Sequence, residues 1–329
     1  MTSTDKLIQM AIAVVLFFAV TGLILVLTAR LRSRTGERVQ AAAFIAPSLL
    51  LIAVGLLYPA IGTIYQSFFG SSYQPILGGG NEGNFVGLDN YRRIFTNGDL
   101  LQVLQNTALW VVLTPLVATT IGLVYAVLID RSRFEKFAKA LIFLPMAISL
   151  VGASIIWKFM YDYKGTDQDQ LGVLNALLKA VGFDTYRFLL TEPWNTFFLI
   201  VIIVWVQAGF AMTILSAAIK AIPDDIVEAA KLDGVNGLKL FRYITVPSIR
   251  PSLIVVLTTI SITTLKVFDI VRTATGGQFG TSVLAYEFYV QSFRSFDFGL
   301  GAALATLIFV LVTPIVVYNI RQMRRLEAR

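Results

Sequence analysis

The chain has 329 residues, of which 56% are hydrophobic and only 14% charged, and it contains neither cysteine nor histidine. Soluble domains are about one-quarter charged, so this composition excludes an ordinary water-soluble globule. The missing residue types exclude disulfides, thiolate metal sites and imidazole acid–base chemistry, which leaves hydrolysis to carboxylates alone.

Seven apolar blocks follow one another at roughly 7–29, 41–68, 104–129, 139–162, 196–220, 252–274 and 300–320. Each is close to the ~20 residues that a helix needs to cross a hydrocarbon core. The first has Lys6 before it, as a secretory signal would. However, it is long, lacks a small-residue cleavage pattern and is followed by Arg30, Arg32, Arg34 and Arg38, the flank of a retained membrane helix. The formal net charge of +7 would suit nucleic acid, but basic residues beside apolar spans are explained first by topology. Seventeen Lys and Arg fall in the 30–40, 130–139 and 220–250 segments and the C-terminal tail, against seven on the opposite side. The side with seventeen is expected to be cytoplasmic, with the N-terminus outside and the C-terminus inside. No nucleic-acid partner is expected, and membrane lipid is.

Between the second and third blocks, Gly78, Gly80 and Gly83 fit G-x-G-x-x-G, but no strand precedes them and no βαβ unit surrounds them, so a dinucleotide site is rejected. A polar amphipathic stretch follows around Val86–Tyr91. Lys158 lies near the outer end of the fourth block, where a lysine snorkels to the interface at little cost. Residues 163–195 hold one short helix candidate, Leu174–Leu178. In the fifth block Gln207 sits mid-span, where an unsatisfied amide is expensive. In the sixth, Lys266, Asp269 and Arg272 recur at i, i+3 and i+6, which predicts a self-neutralising ion network on one helix stripe, with a proton relay or substrate contact as the alternative. No G-x-x-x-x-G-K-[ST] occurs anywhere, so ATP, if it is used, is bound by another chain.

The segment Ile222–Pro251 carries the most local information. Pro223 followed by Asp224 and Asp225 marks a helix start, and Gly234 can end that helix after Glu228-Ala229-Ala230-Lys231-Leu232-Asp233. A second helical stretch, Leu238–Ile244, closes at Val246-Pro247. Small side chains at Ala229 and Ala230 let another protein come close. By pattern alone, a docking surface and a solvated amphipathic loop at the membrane interface are equally good readings.

The stretch Glu228-Ala-Ala-x-x-Asp-Gly-x(6)-Phe241-x-x-Ile244-x-Val246-Pro247 resembles the EAA signature of permeases from binding-protein-dependent ABC importers, with Val235 in place of the usual Ala. Further stretches resemble the maltose-type sugar permeases: Phe44–Leu51, Leu57-Tyr58-Pro59, Phe85–Tyr91, Leu144-Pro145-Met146, Trp157-Lys158-Phe159, Gly172–Asn175, Lys266–Asp269 and Asp297-Phe298-Gly299. Met146–Ser154, Pro193-Trp194-Asn195 and Gln207–Met212 are most similar to the α-glucoside branch. The resemblance implies an all-α membrane protein of seven helices. Residues 1–40 form an extra N-terminal helix and basic loop, and residues 41–329 a six-helix permease core with a coupling loop at 222–251.

The resemblance further implies a non-enzymatic translocation subunit in a bacterial cytoplasmic membrane. It would pair with a second homologous permease, an ATPase homodimer holding ATP and Mg, and an extracytoplasmic sugar-binding protein, and it would bind no cofactor itself. The cargo implied is an α-glucoside such as trehalose, maltose or sucrose. Glu228, Ala229, Ala230, Asp233 and Gly234 would form the ATPase-coupling element. Sugar contacts would fall on Met146, Leu150, Val206, Gln207, Phe210, Thr263, Thr264 and Val267. A sugar site needs hydrogen-bonding side chains beside an aromatic face. Gln207 and Phe210 supply both, whereas each Thr of the sixth block is as readily explained by bonding back to its own helix. The rival readings are an ion-coupled secondary transporter using Lys266, Asp269 or Gln207, and a membrane-embedded enzyme such as a lipid transferase, which the absence of His, Cys and clustered acids disfavours.

Overall fold

Proline and small residues decide where these apolar helices bend and how closely they approach. The computed structural model describes residues 34–71, 84–130, 132–165 and 170–327, with scattered positions from 12 to 26. The expected helix at 7–29 therefore lies mostly outside the described residues, and the Gly78, Gly80 and Gly83 motif wholly so. All regular elements among the described residues are helical, apart from an isolated antiparallel bridge between Phe69 and Phe85. The chain divides into two units, Met1–Gln66 with Gln74–Gly80, and Ser67–Tyr73 with Asn81–Arg329.

In the first unit, α1 (Arg34–Ile52) passes through a π-helical stretch, Ala53–Leu57, into α2 (Tyr58–Gln66). Pro59 has no N–H to offer and its ring would press on the preceding turn, so the backbone widens there. Phe44–Gln66 is long and apolar enough to cross a membrane.

The second unit begins with α3 (Asp89–Thr96), α4 (Gly98–Ile129) and α5 (Glu135–Phe143), the last running into a 3₁₀ turn at Leu144–Ala147. Then come α6 (Leu150–Met160), α7 (Val173–Ala180), α8 (Trp194–Lys220) and α9 (Asp224–Leu232). Next, α10 (Leu238–Leu240), a π-helical stretch at Phe241–Thr245 and α11 (Val246–Ser248) lead into α12 (Arg250–Leu265). The chain ends with α13 (Asp269–Ala274), α14 (Leu284–Phe293) and α15 (Phe298–Glu327). The α4–α8 pair is the most extensive helix contact. Thr114, Ala118, Gly122 and Ala126 repeat every four residues along the buried stripe of α4, and small residues at that spacing let membrane helices pack backbone to backbone. Leu199, Ile202, Ile203, Met212 and Leu215 of α8 fill the core beside them.

Gly98–Ile129, Trp194–Lys220 and Phe298–Arg324 can each cross a membrane alone. Two further pairs are long and apolar enough only when taken together, as a broken span or a re-entrant loop: Glu135–Ala147 with Leu150–Met160 turns through 102°, and Leu238–Ser248 with Arg250–Leu265 through 69°. The described residues thus offer four straight spans, or six with the bent pairs counted. The expected straight block 139–162 is corrected to a bent one. Pro145 closes the 3₁₀ turn, and Ser149 opens α6 by accepting from the Gly152 amide at 3.1 Å. The block 252–274 is likewise broken, because α12 stops at Leu265 and α13 begins at Asp269. The second helical stretch of the 222–251 loop does not close at Val246-Pro247 but continues to Ser248.

Several stretches that carry the family resemblance hold the fold together. Asn90 donates to the carbonyls of Ser67 at 2.9 Å and Phe69 at 2.8 Å. Asn175 donates to the Asp162 and Tyr186 carbonyls and accepts from the Tyr186 amide at 2.7 Å. Asn195 donates to the Phe279 carbonyl at 2.7 Å. Asp297 pairs with Arg93 at 3.1 Å and accepts from the Leu300 amide at the start of α15. Buried carbonyls in connecting segments need such partners, and an amide side chain supplies two donors at once.

Candidate functional site

The segment Pro223–Ser248 adopts the helix, glycine turn and helix that its sequence predicts. Pro223 is extended, and α9 starts at Asp224 with two carboxylates in its first turn, where the helix dipole favours them. At its C-terminus the Gly234 amide donates to the Lys231 carbonyl at 3.0 Å and the Val235 amide to the Ala230 carbonyl at 2.9 Å. This is a Schellman closure, and it requires the positive φ that Gly234 supplies at +78°. Glu228, Ala229, Asp233 and Gly234 are exposed, whereas Ala230 is buried against its own chain. Ala230 therefore shapes the packing of α9 from behind, and Ala229 is the small residue on its outer surface. Leu232 is 89% exposed and Leu238 79%, so the turn carries two unpartnered leucines beside its acids.

Behind α9 lies a cavity of about 370 Å³ lined by the ends of α4 and α8, by Asp224 and Val227, and by Gly237, Leu240, Phe241 and Thr245. Its wall includes Asp130 and Lys220, members of a charge cluster that sequence reading missed. Lys139 donates to Asp130 Oδ1 at 2.5 Å, to Glu135 Oε1 at 2.9 Å and to the Ser216 hydroxyl. Ser216 donates to Asp130 Oδ1 at 2.7 Å, and Lys220 donates to Glu135. The Asp130 side chain is only 8% exposed, and its Oδ2 has no hydrogen-bond partner among the described residues. Glu135 and Lys139 at i and i+4 were the available sequence signal. Ser216 and Lys220 lie 77 to 86 residues from the partners they bond, and no local pattern brings them together.

The eight positions expected to contact sugar differ in exposure. Val206 (5% exposed), Thr264 (0%) and Val267 (3%) are buried. In this arrangement they are covered by neighbouring side chains of the protein. Met146 is exposed, and Leu150, Gln207, Phe210 and Thr263 are partly so. The 3₁₀ turn holding Met146, the start of α6 holding Leu150 and the α12 helix holding Thr263 all pack on α8, which carries Gln207 and Phe210. Among the described residues no hydrogen bond engages the Gln207 amide. By contrast, Thr258, Ser261, Thr263 and Thr264 each donate to a carbonyl one turn back in α12, at 2.7 to 3.0 Å. Their protons are used locally, and the Thr258 oxygen also accepts from the Asn319 amide.

Gly209 explains how the turn at Met146 comes so near α8. A Cβ on this glycine would stand 2.5 Å from the Ile142 carbonyl oxygen and 3.0 Å from the Phe143 Cα.

The predicted ion network of Lys266, Asp269 and Arg272 is not formed, and no ion pair joins these three among the described residues. The break at Lys266–Phe268 destroys the single stripe. The Arg272 guanidinium instead lies 5.3 Å from the Phe268 ring centroid and 4.7 Å from that of Tyr289, a cation–π arrangement that fastens α13 to α14.

The profile of the family described as "binding-protein-dependent transport system inner membrane component" matches residues 100–325. The chain is 43% identical over 284 residues to the osmoprotective compounds uptake permease protein of Synechocystis sp., covering 86% of this chain and 99% of that one. It is 45% identical over 283 residues to the alpha-glucoside transport system permease protein of Rhizobium meliloti, covering 86% and 82%. Its fold is shared with a chain of a bacterial ABC transporter involved in the import of the acidic polysaccharide alginate, with a TM-score of 0.73 over 89% of this chain and 99% of that one, at 21% identity.

Proposed function

This chain belongs to the family of inner membrane components of binding-protein-dependent transport systems, and we propose that it is the permease subunit through which an ATP-driven importer takes up an α-glucoside. As a member of that family it is a translocation subunit and not an enzyme. The proposal adds the finer assignments. A second homologous permease completes the path, and an ATPase homodimer binding ATP and Mg docks on α9. An extracytoplasmic binding protein delivers the sugar. The side bearing seventeen Lys and Arg is cytoplasmic, which places the N-terminus outside and the C-terminus inside. Residues 1–40 are an addition to a permease core spanning 41–329.

The observation that carries this reading is α9 itself. It is a short, rigidly closed helix, exposed along Glu228, Ala229, Asp233 and Gly234, and it stands over a cavity at the end of the bundle. An exposed helix on that mount is a lever that a separate motor can move. Alternating access then follows: ATP binding closes the motor pair, the lever moves, and the face formed by Met146, Leu150, Gln207, Phe210 and Thr263 changes the side to which it opens. The 45% identity to an α-glucoside permease supports the solute class. The 43% identity to an osmoprotectant permease makes osmoprotective compounds the second candidate.

The chain has no native cysteine, so Glu228→Cys provides a single crosslinking handle. A crosslink from residue 228 to a nucleotide-binding partner, together with solute accumulation that stops when that partner is removed, is the expected result. Uptake by this chain without any ATPase would instead establish the ion-coupled alternative. Trehalose, maltose and sucrose, titrated against the ATPase rate of the reconstituted complex, test the solute class.

A further inference from the structure

The coupling helix α9 is joined to α8 through only Ala221, Ile222 and Pro223, and Lys220 is the last residue of α8. Among the helices α9 packs chiefly on α10, and the cavity lies between it and the ends of α4 and α8, so little of its movement passes to those helices through side-chain packing. Lys220 is where a second path exists. Its ammonium pairs with Glu135 on α5 and lies 3.9 Å from Asp130 Oδ1 just past the end of α4. Lys139 then ties Glu135 to Asp130, and Ser216, one turn before Lys220 on α8, holds Asp130 from the other side.

We propose that Lys220 is a positioning residue that transmits movement of the coupling helix to α4 and α5 through Asp130 and Glu135. This inference rests on the importer reading given above. Three features favour transmission over a static clamp. Lys220 is half exposed, at 51%, while Asp130 is 8% exposed, so the lysine is the mobile member and the aspartate the fixed one. Asp130 Oδ2 has no hydrogen-bond partner among the described residues, so it is an acceptor that Lys220 can take in exchange for Glu135. Lys139 stays on Asp130 at 2.5 Å whichever carboxylate Lys220 takes, so Lys220 can pass between Glu135 and Asp130 without leaving the buried aspartate unpaired. Paired arrangements of that kind carry coupling between distant sites.

The test uses the complete transporter in proteoliposomes, with solute imported per ATP hydrolysed as the readout, using whichever of trehalose or maltose the unaltered complex accumulates. Lys220→Met is expected to leave ATP hydrolysis within about threefold of normal while lowering solute per ATP by about five- to tenfold. Lys220→Arg should keep the ratio, and the charge swap Lys220→Glu with Glu135→Lys should restore it to within about twofold. If Lys220→Met does not assemble, Glu135→Gln replaces it with the same expected ratio. An unchanged ratio in the variant, hydrolysis and import falling in parallel, or a swap that recovers nothing would each overturn the role of Lys220. Uptake without ATP by the unaltered complex would instead sink the importer reading and this inference with it.

Discussion

Gly122 of α4 and Ala211 of α8 approach so closely that a Cβ built on the glycine would stand 2.5 Å from the alanine Cβ. It would also stand 2.7 Å from the Met212 amide nitrogen and 3.0 Å from the Ala208 carbonyl oxygen. Two of these three neighbours are backbone atoms, which cannot rotate aside. Gly122→Ala should therefore separate the helices and cost ~1–3 kcal/mol, seen as a lower thermal unfolding midpoint in detergent. Gly98→Ala is the control, because nothing lies within 4 Å of its added Cβ, and it should be neutral.

The elements that could be read from the sequence are those whose signals are local. Helix α9 is one: Pro223, the paired aspartates and Gly234 mark both of its ends within a dozen residues. The break between α12 and α13 is the opposite case. No proline or glycine occurs from 252 to 275, so the periodicity runs on while tertiary packing ends the helix, with Val267 buried and Phe268 stacked on Tyr286 and Tyr289. The bend at Ile148–Ser149 did have a signal, Pro145 followed by a serine suited to cap a helix, but the apolar run conceals it. Gln207 and Phe210, three residues apart on α8, are both partly exposed, as two residues on one side of a helix are. Burial of Val206, Thr264 and Val267 depends on neighbouring helices that one-dimensional spacing does not contain.

Gly234 holds φ at +78°, a region that costs an ordinary L-residue ~1–2 kcal/mol. A β-branched side chain should reopen the Schellman closure and leave α9 without a fixed end. Gly234→Val should therefore lower ATP-dependent uptake by about tenfold, a loss on the scale of that strain energy. Gly234→Asn should stay within about threefold, because asparagine tolerates the left-handed region. Equal uptake by both variants would show that the turn geometry does not matter for coupling.

Gln207 presents an amide on α8 beside Phe210, and no hydrogen bond engages it among the described residues. If it contacts sugar hydroxyls, Gln207→Ala removes one or two hydrogen bonds and should raise the solute concentration for half-maximal uptake by about three- to tenfold. Assembly with the ATPase and basal hydrolysis should be unaffected, which separates a solute contact from a packing defect. Gln207→Asn, with a shorter reach, should fall between. Uptake that is unchanged in Gln207→Ala removes this residue from the translocation face.

Arg272 distinguishes the stacking seen in the structure from the ion network that its spacing predicts. In an ion network, neutralising Asp269 would leave Arg272 uncompensated, so Asp269→Asn and Arg272→Gln would destabilise to a similar degree and both effects would weaken in high salt. In the stacked arrangement the guanidinium is held by Phe268 and Tyr289, whose attraction is worth ~0.5–2 kcal/mol. Asp269 contributes only a carboxylate in the first turn of α13, a weaker term of ~0.3–1 kcal/mol. Arg272→Gln should lower the unfolding midpoint clearly, and Tyr289→Leu should lower it by a comparable amount. The two changes together should cost less than their sum, since they remove one shared contact. Asp269→Asn should shift the midpoint less than either. A strictly additive Arg272 and Tyr289 pair would exclude the stack as the fastening between α13 and α14.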